Sequence, residues 1–145
     1  YLPLLANQEV DFHSLQTGSR AREIASLNQG GRLHDWSACL TDFAATAALI
    51  GQLDLVITSD TSVAHLAGAL GKPVWVLLSH APDWRWLRER NDSPWYPGMR
   101  LFRQDKRGDW AGVVERVRSS LLDLLTRQAS RGPLPVVVQA ARPPS

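Results

Sequence analysis

The residues best suited to chemistry form one short run, Ser59-Asp60-Thr61-Ser62, with His65 three positions after Ser62. The run follows Leu55-Val56-Ile57-Thr58, too short for a helix and β-branched enough for a buried strand. A helical pattern from about Val63 to Leu70 comes next, stopped by Gly71 and Pro73. A helix that starts there presents unpaired N–H groups and the positive end of its dipole, which suits an anion such as a diphosphate. Thr61 and Ser62 add short hydroxyl donors, and His65 shares the face of the first turn with Ser62. A plainer alternative stays open: Asp60, Thr61 or Ser62 caps the helix, and His65 packs against a neighbour. Neither GxGxxG nor a Walker A lysine occurs, so dinucleotide oxidoreductases and P-loop NTPases lose their main support.

Other elements must hold this run in place. Asp11–Leu15 reads as a strand, Gln16-Thr17-Gly18-Ser19 as a polar turn and Arg20–Leu27 as a helix. A weak strand at Arg32–Asp35 leads to a helix over Thr41–Leu53, with Thr41 as cap and Phe43, Ala47, Leu49 and Ile50 as its stripe. Val74–Leu78 is a second buried strand with Trp75 in the core, and Met99–Arg103 is a last one. Asp109 caps an amphipathic helix through Leu125, with Val113, Val117, Leu121 and Leu124 on one stripe. Successive βα units imply parallel strands joined by right-handed crossovers, with helices on both faces. The predicted fold is therefore α/β, a Rossmann-like doubly wound parallel sheet. Ligands of such sheets bind beyond the carboxyl edge. Gln16-Thr17-Gly18, Asp60-Thr61-Ser62 and Ser79-His80 all fall there, brought together by topology alone.

Composition narrows the choice of class. A chain of 145 residues with 44% hydrophobic and 21% charged residues suits one soluble domain. The net charge is only +2 and its arginines are scattered among Asp and Glu, unlike the concentrated stripe of a nucleic-acid binder. Arg85 to Arg90 reads as a solvated face. No apolar run approaches a membrane span. The single cysteine, Cys39, excludes an internal disulfide framework and a cysteine-based zinc site and fits a reducing, cytoplasmic setting. Tyr1 in place of Met, with no leader before it, points to a piece of a longer chain.

Ser79–Pro97 lacks periodicity and carries Trp84, Trp86 and Trp95 with three prolines; the tryptophans read as packing anchors of a long loop. His13 reads as strand packing, His34 and Asp35 end the weak strand, and His80 sits at the carboxyl edge. The domain is expected to span residues 1–127. Residues 128–145, rich in proline, read as a disordered tail, favoured over a strand at Val136-Val137-Val138.

The run from Thr46 to Val74 resembles glycosyltransferase family 9, the heptosyltransferases. It has an apolar strand ending in Asp60-Thr61-Ser62, His65 three residues on, and an Ala-rich helix running to Pro73 before the next strand. Ala81-Pro82-Asp83-Trp84-Arg85-Trp86 and Ser93-Pro94-Trp95-Tyr96-Pro97 resemble a subgroup in which this domain follows tetratricopeptide repeats. The resemblance implies the C-terminal, donor-binding half of a GT-B enzyme that transfers a hexosyl or heptosyl unit from a nucleotide-diphosphate sugar with inversion. It implies no metal and no cofactor, because helix N–H groups and side chains stabilise the leaving diphosphate. By position it assigns donor binding to Gln16, Thr17, Asp60, Thr61, Ser62 and His65. The catalytic base belongs to an N-terminal Rossmann-like domain that this chain lacks, so no catalytic residue is assigned. Two positions depart from the pattern. Ser62 replaces the family's Gly, and Thr17 stands where related sequences carry Lys, with Arg20 or Arg22 as substitutes for its charge. Thr17 favours a second class of function, a catalytically silent nucleotide-sugar-binding or scaffold module of a repeat protein.

Overall fold

In a computed structural model, residues 2–18, 24, 26, 32–87 and 90–128 are described, together with the backbone of 134–138. Arg20 and Arg22 lie outside the described residues, as does most of the helix expected over Arg20–Leu27. The strands are β1 (Val10–Ser14), β2 (Leu33–Asp35), β3 (Leu55–Ser59), β4 (Val74–Leu78), β5 (Met99–Arg103) and β6 (Leu134–Val138). The helices are α1 (Leu2–Leu5), α2 (Phe43–Gly51), α3 (Ser62–Ala69) and α4 (Trp110–Gln128), with a 3₁₀ turn at Trp84–Trp86. All six strands lie in one sheet of order β2-β1-β6-β3-β4-β5, and every registered pair of strands is parallel. The predicted α/β class and parallel sheet with flanking helices are both present.

Both faces of the sheet are covered, which is why its strands read as unbroken apolar runs rather than alternating ones. On one face Phe12, Leu55, Ile57, Trp75, Leu77 and Phe102 pack against Leu4 of α1 and against α4. The buried stripe of α4 is Val113, Val117, Leu121 and Leu125. Leu124, expected on that stripe, is only partly buried, because a third step of four residues continues the row to Leu125 better than a step of three. Asp109 accepts a hydrogen bond from the Gly112 N–H at 2.9 Å, as a cap should. On the opposite face Val56, Val74, Val76, Leu78 and Leu101 meet Ile50 of α2, Val63, Ala64 and Ala67 of α3, and Trp86.

Three further expectations are corrected. The cap of α2 is Asp42 rather than Thr41: its carboxylate accepts from the Ala45 N–H at 2.8 Å, and a negative group is favoured at a helix start. Phe43, placed on the buried stripe, is instead 65% exposed in the first turn of α2. The larger correction concerns the region read as a tail. β6 is not peripheral; it inserts between β1 and β3, with Phe12 opposite Val136 and Val56 opposite Val137. A proline usually argues against a central strand, since it cannot donate to the ladder. Pro135 is accommodated near the start of β6, where only β1 has a registered partner and the β3 pairing begins one residue later.

Candidate functional site

Because the sheet is parallel, the ends of β1, β3 and β4 open on one edge. β1 connects leftward to β2 while β3 connects rightward to β4 and β5, so the order reverses between β1 and β3. Such a switch point is where open α/β sheets bind ligands. β6 lies between the two strands, so the loops after β1 and β3 are separated by two strand spacings, roughly 10 Å. Gln16 is half-buried and Thr17 is exposed in the loop after β1, where Gly18 adopts φ +72.

The loop after β3 is ordered from beneath. Thr58 is fully buried, and its hydroxyl lies 3.1 Å from that of Thr61 and also donates to the Ser59 carbonyl at 3.2 Å. Thr61 occupies the N-cap position of α3 in extended conformation (φ −141, ψ 168), yet its side chain makes no capping bond. Its hydroxyl is turned toward Thr58 instead, which leaves the first turn of α3 without a side-chain cap from that position. The capping alternative for Thr61 therefore does not describe this turn. Asp60 and Ser62 are exposed at the same helix start. The structure thus brings Asp60, Thr61, Ser62 and His65 onto one helix end, with Gln16 and Thr17 across the switch point.

His65 is half-buried among aromatic rings. Its imidazole stacks on Trp86 at 5.2 Å with 22° between planes, and meets the edge of Tyr96 at 5.9 Å. The Tyr96 hydroxyl lies 3.4 Å from His65 Nδ1. Trp86 is 1% exposed, and its indole N–H has no hydrogen-bond partner among the described residues. Tyr96 in turn lies directly over Gly68: a Cβ built there would stand 2.6 Å from the ring carbon Cγ. The irregular segment after β4 thus folds down over α3. Its one helical feature among the described residues is the 3₁₀ turn, where Asp83 accepts from the Arg85 N–H at 3.0 Å and pairs with its guanidinium. Those bonds hold the Asp83 carboxyl below the usual range, first through the Arg85 N–H, with a smaller contribution from His65.

Of the three tryptophans read as packing anchors, only Trp86 is one. Trp84 is 76% exposed and Trp95 63% exposed. Arg85 and Arg90 are solvated as expected, paired with Asp83 and Asp92. His80 is exposed and tied to the residue that follows β5 rather than to the loop after β3: its N–H donates to the Gln104 side chain at 3.2 Å and Nδ1 lies 3.3 Å from the Gln104 carbonyl. His13 packs, as read. It accepts the Trp36 indole N–H on Nδ1 at 2.9 Å and stacks with His34 at 4.8 Å. Burial, and then the His34 charge, lower its pKa, against a smaller upward pull from Asp11. A cavity of about 510 Å³ between β5 and α4 is lined by none of the carboxyl-edge set. Among the described residues no group of His, Cys, Asp and Glu is arranged to hold a metal. No described helix is long and apolar enough to cross a membrane.

Thr58, Gly68, Trp86 and Tyr96 were not among the expected site residues. Only Gly68 carried a signal of its own: a glycine inside a helix costs about 1 kcal/mol against alanine, so it marks a close approach.

Known proteins can be set beside this geometry. Residues 17–87 match the family described as glycosyltransferase family 9 (heptosyltransferase). The matched stretch runs from Thr17 through the whole of β3, α3 and β4 to the turn that carries Trp86. The chain is also similar to protein FlbA of Caulobacter vibrioides, 34% identical over an alignment 125 residues long that covers 83% of this chain. It spans only 21% of that relative's length. No solved structure matches the chain.

Proposed function

We propose that this chain is the donor-binding half of a family 9 glycosyltransferase, taking a nucleotide-diphosphate sugar at the carboxyl edge of its sheet. One observation carries the proposal. The stretch matched by the family begins in the loop after β1 and includes the start of α3 across the switch point, a helix start with no side-chain cap from Thr61. In this reading the diphosphate lies against the N-terminus of α3, where backbone N–H groups and the helix dipole balance its charge. The Ser62 hydroxyl and the His65 imidazole donate to phosphate oxygens, and the Thr61 hydroxyl joins them by turning from Thr58 to the ligand. Asp60, exposed and acidic, is repelled by phosphate and instead meets a sugar hydroxyl. Gln16 and Thr17 approach from across the switch point. As the glycosidic C–O bond breaks, negative charge grows on the diphosphate, and these donors stabilise it without a metal ion.

The second half of the cleft, with the base that deprotonates the acceptor, belongs to a Rossmann-like domain outside these residues, in a chain that also carries tetratricopeptide repeats. Transfer proceeds with inversion, the outcome of one direct displacement at the sugar carbon. The exposed, uncharged Thr17 favours one competing reading, a module that binds the nucleotide sugar without transferring it.

Calorimetry with ADP, UDP and their sugar conjugates tests the binding claim. Thr61→Ala is expected to weaken binding by about 1 kcal/mol, one neutral hydrogen bond. His65→Ala is expected to cost more, and Asp60→Asn to weaken nucleotide-sugar binding while sparing the bare nucleotide. Parent-like affinity in all three folded variants would sink the assignment. Transfer by the isolated 145-residue chain would refute the division of labour between two halves.

A further inference from the structure

We propose that Tyr96 and Trp86, on the irregular segment between β4 and β5, are positioning residues that fix the ring plane and the tautomer of His65. What His65 is positioned for rests on the donor-binding reading above; that it is positioned does not.

A histidine on the first turn of α3 has two rotatable bonds and two ring nitrogens, and a phosphate donor needs one defined N–H in one place. The chain restricts both freedoms from outside the helix. Trp86 is fully buried and stacks under the imidazole at 5.2 Å, so the ring plane follows a side chain packed into the core. Its N–H goes unpartnered among the described residues, although a buried indole normally finds an acceptor. The indole is placed by stacking and packing rather than by a hydrogen bond of its own.

Tyr96 supplies the second restraint. Its hydroxyl faces Nδ1 at 3.4 Å, a long contact of the kind that tightens when a ligand arrives. A phenol that donates to Nδ1 leaves the proton of a neutral imidazole on Nε2, the far end of the ring. His65 is then a neutral donor, and the side chain that holds it is itself held. The Tyr96 ring is seated against Gly68, where any Cβ would stand 2.6 Å from Cγ and 2.8 Å from Cδ1. Gly68 lies three residues after His65 on the same helix face, so the helix supplies both the imidazole and the recess for its partner.

The tautomer is read directly by long-range ¹⁵N–¹H correlation spectra of the imidazoles, with His65 assigned from its loss in His65→Gln. The parent is expected to show the Nε2–H form dominant at a pH where the ring is neutral. Tyr96→Phe keeps the aromatic ring and removes only the hydroxyl; the Nε2–H share should then fall from its parent value toward that of a free histidine side chain. Gly68→Ala changes neither partner yet displaces the ring, and should shift the spectrum the same way. Trp86→Phe retains a stacking surface and should leave the tautomer unchanged. An Nδ1–H form in the parent, or an unchanged tautomer in Tyr96→Phe, overturns the proposal.

ADP and UDP binding supplies the second arm. Tyr96→Phe should weaken binding about two- to tenfold, the scale of one neutral hydrogen bond, and should cost nothing further in a His65→Ala background. If the parent binds neither nucleotide while the tautomer still responds to Tyr96→Phe, positioning stands and the donor-binding reading falls. If nucleotides bind but the tautomer does not respond, the positioning role falls and the binding site remains.

Discussion

Ending the chain at Gln128 removes β6 and leaves every residue of the carboxyl-edge set in place, which makes it a sharp test of how the site is supported. β6 is registered with β1 from Val10 opposite Leu134 to His13 opposite Val137, and with β3 from Leu55 opposite Val136 to Ile57 opposite Val138. No other described strand joins the two sides, so the truncation divides the sheet into a β2-β1 pair and a β3-β4-β5 trio. Each lost backbone hydrogen bond contributes about 1 kcal/mol net, so the two ladders together contribute several. Further loss comes from opening two new sheet edges through the middle of a packed core, where Phe12, Leu55, Val56 and Ile57 are all buried. A domain of this size is stable by about 5–15 kcal/mol, so the truncated chain is expected to be largely unfolded or molten. Far-ultraviolet circular dichroism with thermal and urea unfolding measures this, and nucleotide binding should vanish with the cooperative transition. A truncated chain with a parent-like melting temperature and unfolding slope would show that β6 is not part of the stabilising sheet, and that the tail reading was right.

Thr17→Lys places a cation in the exposed loop after β1; nucleotide diphosphates should bind about 1–2 kcal/mol more tightly at low salt, and unchanged calorimetric affinity would mean that another group already supplies the charge. Trp86→Ala removes a fully buried indole and should destabilise the fold by about 3–5 kcal/mol in denaturant titration; a loss below about 1 kcal/mol would contradict its place in the core. His13 has a lowered pKa in the folded chain, mainly through burial, so the unfolded chain binds the proton more readily. Its contribution is fully present above the ordinary histidine value of about 6.5 and is lost as pH falls toward the folded value. Melting temperatures of the parent should therefore drop more steeply than those of His13→Gln on acidification from that point, and parallel curves would remove His13 as the cause.

The element types and most of their places were legible because they depend on local properties. β-branched runs bounded by turn residues make β3, β4 and β5, and a stripe of valines and leucines at helical spacing makes α4. Parallel order then follows from alternation of strands and helices, and it alone puts Gln16, Thr17, Asp60, Thr61, Ser62 and His65 at one edge. Other features depend on neighbours that are far away in sequence. Pro135 and the polar, proline-rich surroundings of β6 argue locally against a strand, and only the slot between β1 and β3 overrides them. Asp42 rather than Thr41 caps α2 because the carboxylate reaches the Ala45 N–H, a difference of one residue that periodicity does not resolve. Trp84, Trp86 and Trp95 are chemically alike in the sequence, yet one is buried beneath His65 and two face solvent. A side chain's type fixes what it can do, whereas burial, stacking and the choice of hydrogen-bond partner are set by which other surfaces the folded chain brings against it. That is why a histidine at the start of a helix could be read from the sequence, and the tryptophan, tyrosine and glycine that hold it could not.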